Sequence, residues 1–310
     1  MPAGRLSQLG AGVEVSSWGV AVAPVLFEDR ANVLALDRDI AIEYPAHIAV
    51  GIRGLRRVRR GVDLVGGRIG FDAGPDSVLG MFLLSAFGVQ TTSVVGSSLW
   101  THTFTHVQSG FIPSLTIEVD RGTIQSNRFT GCRVNEITLS LDADPTAVLA
   151  CEVDIIGKTA VTTTKAQATF PTEDAFSRTG FKFFVDSAED LLCDQFSMTF
   201  RNLLERRHTA GGLASVGQVV AGNFEVEGRF RRIFENTDRR ADYWAGDRRD
   251  IGFEFSVGSF KCVMQSPNSD FSEYDADPTE GLMEENVGFR WLTVTGKSPN
   301  VRLTDATSGY

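Results

Sequence analysis

Apolar and polar residues alternate with a period of two along much of the chain. The pattern is clearest in Thr101 to Val107, Ser114 to Asp120, Arg133 to Leu141 and Ala150 to Ile156. It returns in Gln195 to Arg201, Asn223 to Phe230, Ile251 to Val257, Ser259 to Met264 and Val287 to Val294. Successive side chains of a strand point to opposite faces, so this period predicts strands with one face buried and a mainly β protein. One segment breaks the rule. After Pro75, Asp76 or Ser77 is placed to cap a helix in which Val78, Leu79, Phe82, Leu83 and Phe87 recur at helical spacing up to Gly88. That helix is expected to pack on the sheet.

Laid side by side, the two halves of the chain run through similar elements. The first has a strand at Leu34 to Tyr44, a basic loop at Pro45 to Arg60, a glycine-containing strand at Val62 to Phe71, the helix, and then strands at Thr101 to Val107 and Ser114 to Asp120. The second has Gln195 to Arg201, a loop at Asn202 to Gly217, Val219 to Phe230, a short segment around Asp238 to Ala245, and strands at Ile251 to Val257 and Ser259 to Met264. This order predicts a tandem duplication, residues 1–160 and 161–310. The Thr/Ala-rich stretch Thr159 to Thr172 is the linker candidate, with strand pairing across it left open.

Composition narrows the function classes. The 310 residues are 42% hydrophobic and 22% charged, enough to bury one large core or two ordinary ones. The longest apolar stretch, Val78 to Val89, is interrupted by Gly80, Ser85 and Gly88 and is too short to span a bilayer. Met1 to Arg5 leads into a Gly/Ser-rich segment without an apolar h-region, so no secretory signal is expected and synthesis and assembly in a cytoplasm follow. A net charge of −9 argues against tight, sequence-independent binding to nucleic acid. Cys132, Cys151, Cys193 and Cys262 are dispersed through alternating segments and read as buried free thiols.

Catalytic and metal chemistry find no clear carrier. His102 and His106 share one face of a strand with Phe104, but no third ligand clusters with them. Gly61, Gly66, Gly67 and Gly70 lack the lysine of a nucleotide loop and fit strand glycines near a bulge better. No GxSxG occurs, and the remaining histidines are His47 and His208. The reading is therefore of a protein without catalytic, metal or cofactor residues.

The most informative charges are Arg53, Arg56, Arg57, Arg59 and Arg60, five arginines within eight residues of an otherwise acidic chain. In the second half Arg201, Arg206, Arg207 and His208 fall at the equivalent place. A solvated loop and a DNA contact are alternative readings. The net charge favours a third: Arg53, Arg56, Arg57, Arg59, Arg60, Arg206 and Arg207 meet carboxylates on another copy of the chain. Glu273 to Glu285 offers such carboxylates, or is an exposed loop.

Gly12-Val13-Glu14-Val15-Ser16-Ser17-Trp18-Gly19 followed by Ala23-Pro24 resembles the opening of the tail tube proteins of long, non-contractile phage tails. Ser114 to Gly122, Phe129 to Leu139 and Val153 to Lys158 are similar to segments of the same family, in the same order. Beyond Asp190 the likeness rests on strand order and on Gly228-Arg229-Phe230, which is similar to Gly67-Arg68-Ile69. The resemblance implies a β-sandwich with a flanking helix, whose strands join between subunits into a barrel around a channel, and loops that reach the adjacent ring. It implies stacked rings, an acidic lumen through which DNA slides without tight binding, and contacts with tape measure, tail terminator and tail tip proteins. No cofactor and no membrane partner are implied. A duplicated chain would close a ring with three copies and a single decorated domain with six; duplication favours three. The competing readings are another ring-forming virion protein, such as a tail terminator or connector, and a carbohydrate-binding or hydrolytic β-sandwich. Trp100, Trp244 and Trp291 are scattered and give the last little support.

Overall fold

The computed structural model describes residues 7–14, 17–43, 59–107, 112–122, 125–207, 217–279, 282–292 and 296–310. Its first half contains β1 (Ser7–Val13), β2 (Leu26–Glu28), β3 (Ala31–Leu34), β4 (Asp37–Glu43), β5 (Arg59–Asp72), α1 (Leu79–Phe87), β6 (Gly88–Val95), β7 (Leu99–His106), β8 (Leu115–Arg121), β9 (Gln125–Leu141), β10 (Ala150–Gly157) and β11 (Thr159–Thr164). The second contains β12 (Lys182–Val185), β13 (Ala188–Glu189), β14 (Cys193–Arg201), β15 (Glu205–Arg207), β16 (Gln218–Val220), β17 (Glu225–Ile233), α2 (Asp238–Ala245), β18 (Arg248–Val257), β19 (Phe260–Thr279), β20 (Leu282–Trp291) and β21 (Asn300–Asp305). The protein is mainly β, and each alternating segment read from the sequence forms all or part of a strand.

An antiparallel main sheet runs in the order β4, β5, β10, β9, β14, β17, β20, β19, with β3 continuing β4 along β5. Phe196, Met198 and Phe200 on β14, and Val226 and Phe230 on β17, are buried on one face. The residues between them, Ser197, Thr199, Arg201, Glu227 and Arg229, occupy the other. A second layer covers the apolar face. β19 bends at a register shift between Phe271 and Glu273, and its first half leaves the main sheet to pair with β18 and β21. From β21 this layer continues to β7 and β6, and from β18 to β12. Phenylalanines fill the space between the layers: Phe253 lies 4.3 Å from Phe196 and Phe183 lies 4.7 Å from Phe230, between ring centres. Each such ring, fully buried, contributes about 1.5–3 kcal/mol.

The first half of β9 also diverges. It pairs with β8 and β11, and β8 carries β1 and then β2. Of the linker candidate, Thr159–Thr164 is therefore a strand, and Lys165 and Ala166 contact this smaller sheet. Lys165 pairs with Asp120, and the Ala166 amide donates to Glu118 at 2.9 Å.

Helix α1 forms where the sequence places it and is buried on all sides, as expected of a helix apolar all round. Phe82 meets Phe71 and Phe87 meets Phe200, at 5.8 and 4.9 Å between ring centres. Gly88 ends the helix in the left-handed region, with φ 90°. Ser77 accepts the Leu79 amide, whereas Asp76 holds the C-terminal segment instead, accepting from the Ala306 amide at 2.8 Å and from the Thr307 hydroxyl at 3.2 Å.

Two assignments change. The single strand expected at Leu34 to Tyr44 is two, β3 and β4, separated at Ala35 and Leu36. There the chain crosses Gly67, where a Cβ would lie 2.2 Å from the Ala35 carbonyl oxygen and φ is +142°. The acidic segment around Glu273 to Glu285 is a β19–β20 hairpin, not a loop. The histidines have structural surroundings: buried His102 lies 2.8 Å from the Thr307 carbonyl through Nε2, and His106 stacks on Phe224 at 4.4 Å. The four cysteines are buried and free, as read from the sequence, and burial pushes the Cys262 thiol up to about 12. Among the described residues the main sheet does not close on itself, and β4 and the second half of β19 are its two ends.

The C-terminal segment is locked against α1. The Tyr310 ring lies where a Cβ on Gly80 would be, 2.0 Å from its Cζ, and the Tyr310 hydroxyl donates to Asp305. Gly80→Ala is expected to expel the ring and to destabilise the protein by about 1–3 kcal/mol in chemical denaturation. In that background Tyr310→Ala should add little, so the double-mutant cycle will show strong coupling.

Candidate functional site: the polar sheet face and its ends

Two features stand out: a buried node at the N-terminal motif and a charged face on the main sheet. At the node, the Glu14 carboxylate is 8% exposed and accepts four hydrogen bonds. They come from the Gly19 amide at 2.7 Å, Ser114 Oγ at 2.7 Å, Thr116 Oγ1 at 3.0 Å and the Gly131 amide at 2.8 Å. Trp18 Nε1 donates to the Gly131 carbonyl at 3.0 Å, and Lys158 Nζ lies 4.5 Å from the Trp18 ring centre. Gly131 has φ +64°, and a Cβ there would sit 2.8 Å from Trp18 Nε1. The motifs quoted above from the first half thus meet at one point, where four donors satisfy one buried anion. Val15 and Ser16 lie outside the described residues.

The charged face is built by register. Glu136 of β9 stands opposite Arg201 of β14, and Arg201 opposite Glu225 of β17. Arg201 bridges Glu136 and Glu227, at 2.7 Å to each, and Arg290 of β20 is a second partner of Glu227. Arg229 pairs with Glu273 at 2.9 Å, Arg68 with Glu152 at 3.4 Å, and Arg231 with Asp194 at 2.7 Å and Glu284 at 3.3 Å. The Arg290 hydrogen bond, followed by its charge and the contact with Arg201, holds Glu227 below the usual glutamate range. The hydrogen bond that Arg201 donates to Glu136 raises the arginine in turn. A depression of about 610 Å³ opens on this face, lined by residues including Thr199, Arg201, Glu227, Arg229, Glu273 and Arg290. Chemically the face is a lattice of arginines already held by carboxylates, with Asp154, Glu225 and Asp275 adding further negative charge.

The arginines singled out in the sequence fall in two places. Arg53, Arg56 and Arg57 lie outside the described residues. Arg59 and Arg60 begin β5, with their backbones opposite Glu43 and Ile42 of β4. Arg206 and Arg207 lie on β15, in the β15–β16 hairpin between β14 and β17. Arg206 donates from Nη2 to the Val65 carbonyl of its own chain at 2.9 Å, and burial lowers its pKa, whereas Arg207 is exposed. Arg231 and Arg290 have no part in the sequence-based expectations, although the alternation Glu225, Glu227, Arg229, Arg231 places four charges on one face of β17.

A family model described as phage tail tube protein matches residues 4–289. The chain belongs to that family. As a tail tube protein it is a structural component of a phage tail. No curated protein matches it. Within the tail tube protein, the node around Glu14 draws together β1, β8 and β9 of the first half of the chain.

Two outcomes are expected. Glu14→Ala leaves four donors unsatisfied and should lower stability by about 3 kcal/mol in denaturant titration. Because the folded pKa of Glu227 is depressed, its contribution is present above the unfolded value, near 4.5, and disappears as pH falls through the folded value. Thermal melts of Glu227→Gln below pH 4.5 should therefore depend less on pH than those of the parent.

Proposed function

We propose that this protein is the major tail tube subunit: copies join edge to edge into a ring, rings stack into a tube, and the charged face of the main sheet lines the channel through which DNA passes. One observation carries the reading. The main sheet consists of two successive quartets, β4, β5, β10, β9 and then β14, β17, β20, β19, each threaded in the same order. In each quartet a helix follows the second strand, α1 after β5 and α2 after β17. This supports a tandem duplication into residues 1–160 and 161–310, and three copies per ring. A closed ring would remove the free edges at β4 and β19 and complete an intersubunit β-barrel. Arginines held in ion pairs among excess carboxylates suit a wall along which a polyanion slides, since few cations remain to exchange for DNA counterions. The segment that joins β4 to β5 contains Arg53, Arg56 and Arg57 and leads into Arg59 and Arg60 of β5; it falls between the first two strands of its quartet, as the β15–β16 hairpin with Arg206 and Arg207 does in the other. We assign them to contacts between copies, chiefly between rings. Tape measure, tail terminator and tail tip proteins are the further partners that the family resemblance suggests.

Electron microscopy of the concentrated protein should show rings or tubes with threefold, pseudo-sixfold symmetry, and a protein that stays monomeric at all concentrations would refute the reading. Replacing Arg53, Arg56 and Arg57 with Ser is expected to leave rings but to abolish long tubes in the same images.

A further inference from the structure

Inside the chain, the two quartets meet where β9 pairs with β14. Glu136 faces Arg201, Thr138 faces Thr199 and Ile137 faces Phe200. The junction is favourable: Arg201 binds Glu136 at 2.7 Å, and the Thr138 and Thr199 hydroxyls lie 2.9 Å apart. The ends of the sheet are the counterparts of these two strands. β4 stands to β5 as β14 stands to β17, with Arg38 opposite Val65 as Phe200 is opposite Val226. β19 stands to β20 as β9 stands to β10, with Tyr274 opposite Val287 as Ile137 is opposite Val153. The middle strands keep the same correspondence, Ile69 opposite Val153 and Phe230 opposite Val287.

We infer that the seam between copies repeats the β9–β14 register, setting Tyr274 opposite Arg38 of a second copy, Asp275 opposite Asp37 and Glu273 opposite Asp39, and that this meeting of like charges restrains self-association. The inference rests on the edge-to-edge ring proposed above. Backbone pairing at the seam supplies the attraction, because among the described residues β4 and the second half of β19 each have a neighbour strand on one side. The side chains oppose it. Where the internal junction sets threonine against threonine, the seam sets Asp275 against Asp37, both exposed on their own copies. Where the internal junction sets Glu136 against Arg201, the seam sets Glu273 against Asp39. Like charges directly opposite across antiparallel strands are destabilising. Glu273 is partly offset by Arg229 at 2.9 Å, so the Asp37–Asp275 pair carries most of the restraint. Added salt screens such a pair, so assembly should be favoured as ionic strength rises.

The test uses the full chain. Asp37→Cys combined with Asp275→Cys should give disulfide-linked multimers on mild oxidation, read on non-reducing gels. Asp37→Cys combined with Glu273→Cys, shifted by one pair on the same face, should link far less. Thr138→Cys combined with Thr199→Cys, which links within one chain, calibrates the geometry. In sedimentation at low salt, Asp37→Asn with Asp275→Asn should assemble at a roughly five-fold lower concentration than the parent. Rings that form without the Asp37–Asp275 crosslink would overturn the register and leave the tube reading standing. An asparagine variant that assembles no more readily than the parent would overturn the electrostatic restraint. A protein that forms no assembly at any salt or concentration, in parent or variants, would overturn both this inference and the ring on which it rests.

Discussion

The pairing of β9 with β14 is the interaction on which the rest of the structure depends. β9 is 17 residues long and is paired on both sides through most of its length, by β10 and β14 in its second half and by β8 and β11 in its first. Residues far apart in sequence are thereby joined into one hydrogen-bonded surface, and the loop-closure entropy lost is recovered along the whole ladder. Once β14 is docked, the positions of Arg201, Glu227 and Arg290 follow from register alone, and so does the aromatic packing beneath them.

The two faces of that surface obey different physics. Beneath, Phe196, Phe230, Phe253 and Phe289 exclude water and tie the main sheet to the second layer. Above, the ion pairs are solvated and individually weak, so their effect on stability is small compared with their effect on the field of the face. A sheet of this kind takes its rigidity from the buried side and its electrical character from the exposed side. The node around Glu14 belongs to neither face: a carboxylate buried within the fold and satisfied by donors from three parts of the chain.

Most strands were legible because one face is buried, which imprints period two on the sequence. Helix α1 was legible because Val78 to Phe87 departs from that period and Gly88 stops it. What escaped was non-local. The break between β3 and β4 depends on Gly67 of a different strand, and the second half of β19 carries Glu273, Asp275 and Asp277 on a sheet end where little apolar signal is demanded. The Arg-rich run before Val62 was visible as composition, yet Arg201 and Arg231, each held by two carboxylates, lie within alternating strands. Their partners Glu136, Glu227 and Asp194 could be assigned only after register was known. Glu14 was legible as part of a motif, but its four hydrogen bonds were not.

The sharing of β19 between the two layers has a mechanical consequence. A force drawing the outer end of the sheet along the strand direction is passed through the bend at Phe271 into the ladder with β18 and β21, whose hydrogen bonds are then sheared together instead of opened one at a time. Shear of that kind demands simultaneous rupture of many bonds, so a pull at the rim meets the resistance of the entire molecule.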